Sequence, residues 1–412
     1  MKIWIINHYG EVPPKGNYLR HFRFSKELRK MGHDVEMFSA STVHNSSYNH
    51  SKDSRPFKKV VIEGVPITFI KCRNYKGNGK DRVLNILDYF FGVLKHTKGL
   101  LPPDIVYSSS PHPLNWLAAD RIAKRSGAKH VAETRDLWPE TFVALGRVGR
   151  KHPLSEVLYR VERFIYERAD ALIFTFPGFA SYLEEMNIIP RGRTYYINNG
   201  IDLEEFDRET LEYPCLDEPM NSDKFKVVYT GALGLVNGMQ VLIDAARLLK
   251  DEKEIEFILY GDGNERKELE SEADGLQVHF MGRVEKKHIP GILDKADLLL
   301  LLTRKTQMHY KFGVSLNKLF EYLASGKPII SNVETRYDIV KDSGAGETIE
   351  GENAGKLADT ILKLKKMDQV ELSLFSERAR REAESYDFTQ LTKQLTDVFE
   401  GVSASENRMQ IN

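Results

Sequence analysis

The sequence predicts an α/β protein of two doubly wound parallel-sheet domains. Three observations predict it. Short aliphatic or β-branched runs alternate with amphipathic helical patterns, first over residues 2–200 and again over residues 225–332. A stretch without clear periodicity separates the two series. Polar or glycine-rich segments follow strand after strand, where open parallel sheets hold their ligands. At 412 residues, two domains are the default.

The first series opens on KIWIIN, an apolar strand. GEVPPKGNY is a glycine and proline loop, YLRHFRFSKELRKMG a helix ended by Gly32, and HDVEMFSA the next strand. This is a βαβ unit, which implies a parallel sheet covered by helices. DIVYSSS, the helix LNWLAADRIAKRSG and KHVAET repeat it. A helix near 153–169, then ADALIFT, FASYLEEMN and TYYINNG, complete the first domain, residues 1–199. Residues 200–224 are acidic, contain two prolines and are expected to connect the domains.

The second domain, 225–387, alternates FKVVYTG, MQVLIDAARLLKD, EIEFILYGDG, NERKELESEA, QVHFMG, KHIPGILDKA, DLLLLLT, NKLFEYLASG and KPIISN. A last helical stretch and tail, 388–412, is expected to reach back to the first domain. The two sets of strand ends are then expected to face one another across a cleft.

Apolar content of 41% and charged content of 29% are those of a soluble globular protein. No apolar run approaches the ~20 residues that span a bilayer. MKIWIINHYG lacks a signal-peptide pattern and reads as a buried strand. Two cysteines, Cys72 and Cys215, suit neither a disulfide framework nor a zinc site, so a reducing cytoplasm is the expected home. Net charge is zero, yet residues 1–170 hold 29 Lys and Arg against 17 Asp and Glu. That basic half suits an anionic partner such as the inner face of a membrane; the alternative is a chance spread of solvated charge. No nucleic-acid partner is expected. The helix pattern RVLNILDYFFGVLKHTKGLL, residues 82–101, reads either as a membrane-surface helix or as a core-facing one.

The polar segments at strand ends carry the candidate chemistry. Beyond DLLLLLT, a helix is expected to start at Ser315 or Asn317, both good caps. Its first turn offers free N–H groups and the positive end of the helix dipole to phosphate oxygens. Lys318 adds a charge there. Glu321, one turn on, can accept two ribose hydroxyls, since an ionised carboxylate only accepts. The competing reading is an i,i+3 salt bridge between them. PPKGN places Gly16 and Asn17 after the first strand, and Gly16 permits close backbone approach to a phosphate. ETRDLWPE puts Asp136 at a strand end, as a proton acceptor or as a helix cap. TGALG, YGDGN and GRVE offer Gly231, Gly261, Gly263, Arg283 and Val284. Arg304 is a cation just past the DLLLLLT strand. No Asp-x-Asp pair, Walker lysine loop, nucleophile elbow or metal-ligand spacing occurs.

In the order PPKGNYLRHFRFSKELRKMGHDVEMFSA, ETRDLWPETFVALG, INNGIDLEEF, YGDGNERKELE, FMGRVEKKHIPGILDKADLLLLL and NKLFEYLASGKPII, the chain resembles the retaining glycosyltransferases of family 4, which have the GT-B fold. The ETRDLWPE and NKLFEYLASGKP segments look like the subgroup that builds bacterial surface polysaccharides such as O-antigen and capsule. The resemblance implies a nucleotide-sugar donor, commonly a UDP-sugar, on the second domain and a lipid-linked or saccharide acceptor on the first. It implies retention, with no metal and no cofactor, since the nucleotide-sugar is a substrate. The later glutamate of the family's E-x7-E motif matches Glu321; the earlier one falls on Gly313. The family often carries an arginine and a lysine where this chain has TGALGLVNG, which shifts the diphosphate to Lys318 and Arg304. The expected donor site is therefore Gly16, Asn17, Gly231, Gly261, Gly263, Arg283, Val284, Arg304, Ser315, Leu316 and Asn317, with Asp136, Lys318 and Glu321 as catalytic candidates. A GT-B epimerase or hydrolase, and a non-catalytic nucleotide-sugar-binding protein, are the rival readings.

Overall fold

A computed structural model describes residues 1–407 except 15, 17, 18, 45, 52, 78, 111, 138, 139 and 145–148. The chain divides into two units. One comprises Met1–Asn198 with the segment from Phe388 onward, the other Asn199–Asp387.

The first unit has eight strands: β1 Lys2–Ile6, β2 Asp34–Ala40, β3 Phe57–Ile62, β4 Val65–Ile70, β5 Ile105–Ser109, β6 Lys129–Thr134, β7 Ala171–Phe174 and β8 Arg193–Tyr196. They lie in the order β3-β4-β2-β1-β5-β6-β7-β8. Every pair is parallel except β3–β4. That edge hairpin is absent from the sequence expectation. Its turn is Glu63-Gly64, both at positive φ (45° and 78°), the backbone a tight hairpin needs.

The second unit has six strands: β9 Phe225–Thr230, β10 Ile255–Tyr260, β11 Val278–Gly282, β12 Leu298–Leu301, β13 Ile329–Ser331 and β14 Gly346–Thr348. Their order is β11-β10-β9-β12-β13-β14, all parallel. Residues 200–224, expected as a connection, contain the helix Leu203–Glu212 and a short 3-10 turn, Glu218–Asn221, and Phe206 and Met220 join this unit's core.

Both sheets are covered on both faces, and the two-residue period of a strand explains the long apolar runs. Along β12, Leu298 and Leu300 enter one core while Leu299 and Leu301 enter the other. Ile3 and Ile5 of β1 likewise oppose Trp4 and Ile6. The helix Lys80–His96 faces the core through Tyr89, Phe90 and Val93 and leaves Phe91 exposed. The last helix, Phe388–Asn407, sets Phe388, Leu391, Leu395 and Phe399 into the first unit's core, with Phe399 edge-on to Tyr107 at 5.6 Å.

Strand order reverses direction between β1 and β5 and between β9 and β12. At such switch points neighbouring loops part and leave a crevice. One charge cluster lies just below the first of them. Glu133 of β6 is wholly buried and accepts from Arg20 Nε at 2.8 Å, Tyr107 Oη at 2.6 Å and His21 Nε2 at 2.8 Å. Arg20 also donates to the carbonyls of Ile197 and Asn198. Burial opposes the Glu133 charge, but Arg20 and His21 hold its carboxyl well below the usual range.

Glu133→Ala leaves the Arg20 guanidinium buried without its carboxylate. Chemical denaturation is expected to show a loss of about 3–5 kcal/mol. Because the folded pKa is depressed, the pair's contribution is present above the unfolded carboxyl range near ~4.3 and fades as pH falls below it. The wild-type loss of stability in acid should therefore be steeper than that of the variant.

Candidate functional site

In the second unit, the loops after β9 and β12 are tied together. Arg304 N donates to Val236 O at 2.8 Å and Thr303 Oγ1 to the same oxygen at 3.2 Å. From β12 the chain runs through the helix Gln307–Phe312 into the helix Asn317–Ser325. Leu316 stands at the cap position and makes no side-chain cap bond. This corrects the expected capping: Ser315 Oγ instead accepts from Asn199 N at 3.4 Å, and Asn317 is exposed as the first helical residue. The first turn thus keeps uncapped N–H groups at the positive end of its dipole.

Lys318, in that turn, aims at the β9 exit. Its Nζ donates to Tyr229 Oη at 2.9 Å and Asn237 Oδ1 at 3.2 Å, and lies 4.3 Å above the Tyr229 ring. Desolvation lowers its pKa to about 7. Gly231 lies beside it: a Cβ there would stand 3.3 Å from the ammonium. The next turn of the helix anchors the same strand end, because Tyr322 Oη accepts from Thr230 N at 2.9 Å.

Glu321 is buried, and it pairs with Lys286, not with Lys318. The i,i+3 salt bridge weighed from the sequence does not form. Lys286 lies 35 residues away in the chain, beyond any local pattern. Val284, nearby in sequence, packs on the apolar core, and Arg283 is exposed. Arg304 is exposed and has no side-chain partner among the described residues.

The other glycines serve the chain itself. A Cβ on Gly261 would stand 1.7 Å from Gly231 O, and one on Gly263 2.0 Å from Leu233 O. The close approach expected for a ligand there is taken by backbone: Gly231 N donates to Tyr260 O and Leu233 N to Asp262 O. Gly16 is similar, with Glu11 and Val12 filling the place of its side chain. Asn17 lies outside the described residues. Gly313 has φ 82° and ψ 177°, a conformation essentially restricted to glycine. A glutamate at that position would have to adopt this backbone or move the loop.

In the first unit, the loops after β1, β2 and β5 and the helix Lys80–His96 bring together residues that the sequence reading passed over. His8 Nε2 bonds Asn85 Oδ1 at 2.8 Å, and its ring lies 4.8 Å from that of His112. Tyr9 stacks on His44 at 4.4 Å and accepts from Arg82 Nε at 3.0 Å. Burial, helped by the neighbouring His112, pushes His8 well below its ordinary pKa. Burial and Arg82 lower His112 to about 3 and His44 to about 4, so these rings are neutral at pH 7. His8 Nδ1 and His112 Nε2 are buried without a partner among the described residues. The available signal was a polar pair, His8-Tyr9, directly beyond an apolar strand.

Asp136 follows β6 and makes no capping bond among the described residues. It is exposed by surface area, while the protein around its carboxyl raises its pKa against the pull of Arg135. Among the described residues, no three His, Cys, Asp or Glu are grouped to hold a metal ion.

Residues 20–200 match the glycosyl transferase 4-like domain, and residues 224–366 match the glycosyl transferases group 1 family. The chain carries both domains of a glycosyltransferase. A probable glycosyltransferase of Pseudomonas aeruginosa, WbjE, is 23% identical to this glycosyltransferase chain over 288 residues, 67% of the chain and 71% of the relative. The alpha-monoglucosyldiacylglycerol synthase of Streptococcus pneumoniae is 22% identical over 363 residues, 84% of the chain and 75% of the relative. The crystal structure of Anabaena Alr3699/HepE in complex with UDP is similar at a TM-score of 0.70 and 17% identity, covering 97% of this chain and 100% of that one. The glycosyltransferase fold is GT-B.

Gly313→Glu would restore the missing motif residue in a backbone that excludes it. Gly313→Glu and Gly313→Ala are both expected to lose about 1–3 kcal/mol in denaturant unfolding. A glutamate variant as stable as wild type would show that the loop refolds around it.

Proposed function

We propose that this glycosyltransferase moves a sugar from a UDP-sugar to a lipid-linked or saccharide acceptor, with retention, in the synthesis of cell-surface polysaccharide. The observation that carries the reading is Lys318: an ammonium without a carboxylate, at an uncapped helix start, in a glycosyltransferase group 1 domain. UDP in the Anabaena structure and a diacylglycerol glycoside in the name of the Streptococcus relative support the two substrate classes.

In this reading the diphosphate lies at the first turn of the helix Asn317–Ser325. The bond between the anomeric carbon and the diphosphate oxygen breaks, and charge grows on the leaving group. Lys318 and the uncapped N–H groups meet that charge where it develops. Glu321 turns one oxygen to Lys286 and offers the other to the ribose hydroxyls. The acceptor oxygen bonds the anomeric carbon on the face the diphosphate leaves. Its proton passes to the departing phosphate or to Asp136. The charge is supplied by the chain's own groups, so no metal is invoked. Arg304 provides a second cation at the β12 exit. Peripheral contact of the basic first half with an anionic membrane fits a lipid-linked acceptor; no helix among the described residues is long and apolar enough to cross a membrane.

A thermal-shift panel of nucleotide-sugars tests donor binding, since a ligand bound only by the folded state raises the melting temperature. UDP-sugars are expected to give the largest shifts. Glu321→Ala should weaken that response while leaving the unliganded melting temperature nearly unchanged; an early-melting variant that binds normally would make Glu321 structural. Lys318→Met, which keeps the apolar stem, should lower kcat on the order of 10²-fold with a smaller change in donor KM. Steady-state transfer assays separate the two constants, and an unchanged kcat would remove Lys318 from the leaving-group site.

A further inference from the structure

The two groups that hold Lys318 are themselves held by a single atom. Tyr229 Oη donates its proton to Ala232 O at 2.9 Å, so only its lone pairs face the lysine. Asn237 Nδ2 donates to the same oxygen at 2.9 Å, which turns Oδ1 toward Nζ. Both acceptors are therefore fixed in orientation before any ligand arrives.

A neutral lysine amine has two N–H donors and a lone pair; an ammonium has three donors. Tyr229 and Asn237 satisfy two. The third donor exists only in the charged form, and no protein acceptor is placed for it among the described residues. Gly231 keeps space beside the nitrogen, where a Cβ would stand 3.3 Å away. The charged groups around Lys318 do not compensate it. On its own helix, Glu321 is committed to Lys286. Arg304, on the β12 exit, has the same sign. Desolvation alone accounts for its shifted ionisation, with no carboxylate acting on it.

We propose that Tyr229 and Asn237 are positioning residues that hold Lys318 with one donor reserved for a diphosphate oxygen, and that the bound diphosphate is the counter-ion that keeps the amine protonated. The inference rests on the reading of this site as a nucleotide-sugar pocket. Its consequence is proton-linked binding. With a free-state pKa of about 7, the lysine in the unliganded protein is charged below neutral pH and largely neutral at pH 8. An anion within hydrogen-bond reach favours the charged form and raises that pKa. Binding then takes up a proton above pH 7, and affinity falls by up to about tenfold per pH unit between the free and bound values.

Calorimetry on the full chain tests this, with UDP-glucose and GDP-mannose as probes. Each carries a diphosphate diester that does not itself titrate near neutral pH. Titrations in two buffers of different ionisation enthalpy give the protons taken up per bound probe. The expected uptake is near zero at pH 6 and approaches about one at pH 8. Lys318→Arg should bind without uptake, because a guanidinium is charged at both pH values. Tyr229→Phe, checked by its melting temperature, should move the midpoint of uptake to lower pH, since the ammonium loses an acceptor. Equal heats in both buffers at pH 8 with normal binding overturn the proposal and leave the nucleotide-sugar reading standing. Uptake that persists in Lys318→Arg places the proton elsewhere and also overturns it. If neither probe binds the wild-type chain, the reading of the pocket fails and the inference fails with it.

Discussion

A parallel sheet with helices on both faces can place polar chemistry only at its strand ends. Along the central strands side chains are buried on both faces, as the alternating leucines of β12 show. The carboxyl ends are where loops part, and the switch points are where they part most. Both units of this glycosyltransferase obey that constraint and answer it in opposite ways. Below the first switch point, Glu133 gathers Arg20, His21 and Tyr107 into a closed, fully bonded cluster. At the second, Lys318 meets only neutral acceptors. One arrangement is complete as folded and holds the unit together. The other leaves a lysine beside neutral acceptors with no carboxylate bonded to it among the described residues, which is the contrast on which the proposed diphosphate site rests.

The parts of the fold that were legible in the sequence are those set by local periodicity. DLLLLLT, KIWIIN and FKVVYTG announce doubly buried strands, and Lys318 and Glu321 stand out as charges on a helix that is otherwise apolar. The edge hairpin β3–β4 was passed over although Glu63-Gly64 is a usable turn signal, because the flanking VVI and VPITFI runs lack clean alternation. Pairings across long chain separations were not legible. Nothing near Glu321 points to Lys286, and nothing near Glu133 points to Arg20. The cap at the helix start was misread for a related reason: Ser315 has the right chemistry, but a backbone N–H from Asn199 takes its hydroxyl.

Glycine was the most ambiguous letter. The same residue type marks a phosphate cradle, a close backbone approach and a strained turn. Gly261 and Gly263 are close approaches, where the β10 exit runs beside the β9 exit at distances no side chain allows. Gly313 is a turn at a φ and ψ that side chains rarely adopt. Gly231 alone of these borders the lysine. Only the neighbours of the missing Cβ separate the three cases.

The last helix, Phe388–Asn407, supplies six buried side chains to the first unit's core, among them Phe388 against Phe24 and Phe399 against Tyr107. That has a consequence for the chain as it emerges from the ribosome. The second unit is continuous in sequence and has all its strands once residue 387 is made. The first unit begins earlier, and the helix Arg20–Lys30 covers part of this core through Phe22, Phe24 and Leu28, but the rest waits until residues 388–402 arrive. At about 5–20 residues per second the wait is on the order of ten seconds or more. During it the nascent chain carries a core short of six apolar side chains, with Phe24 and Tyr107 lacking their aromatic partners.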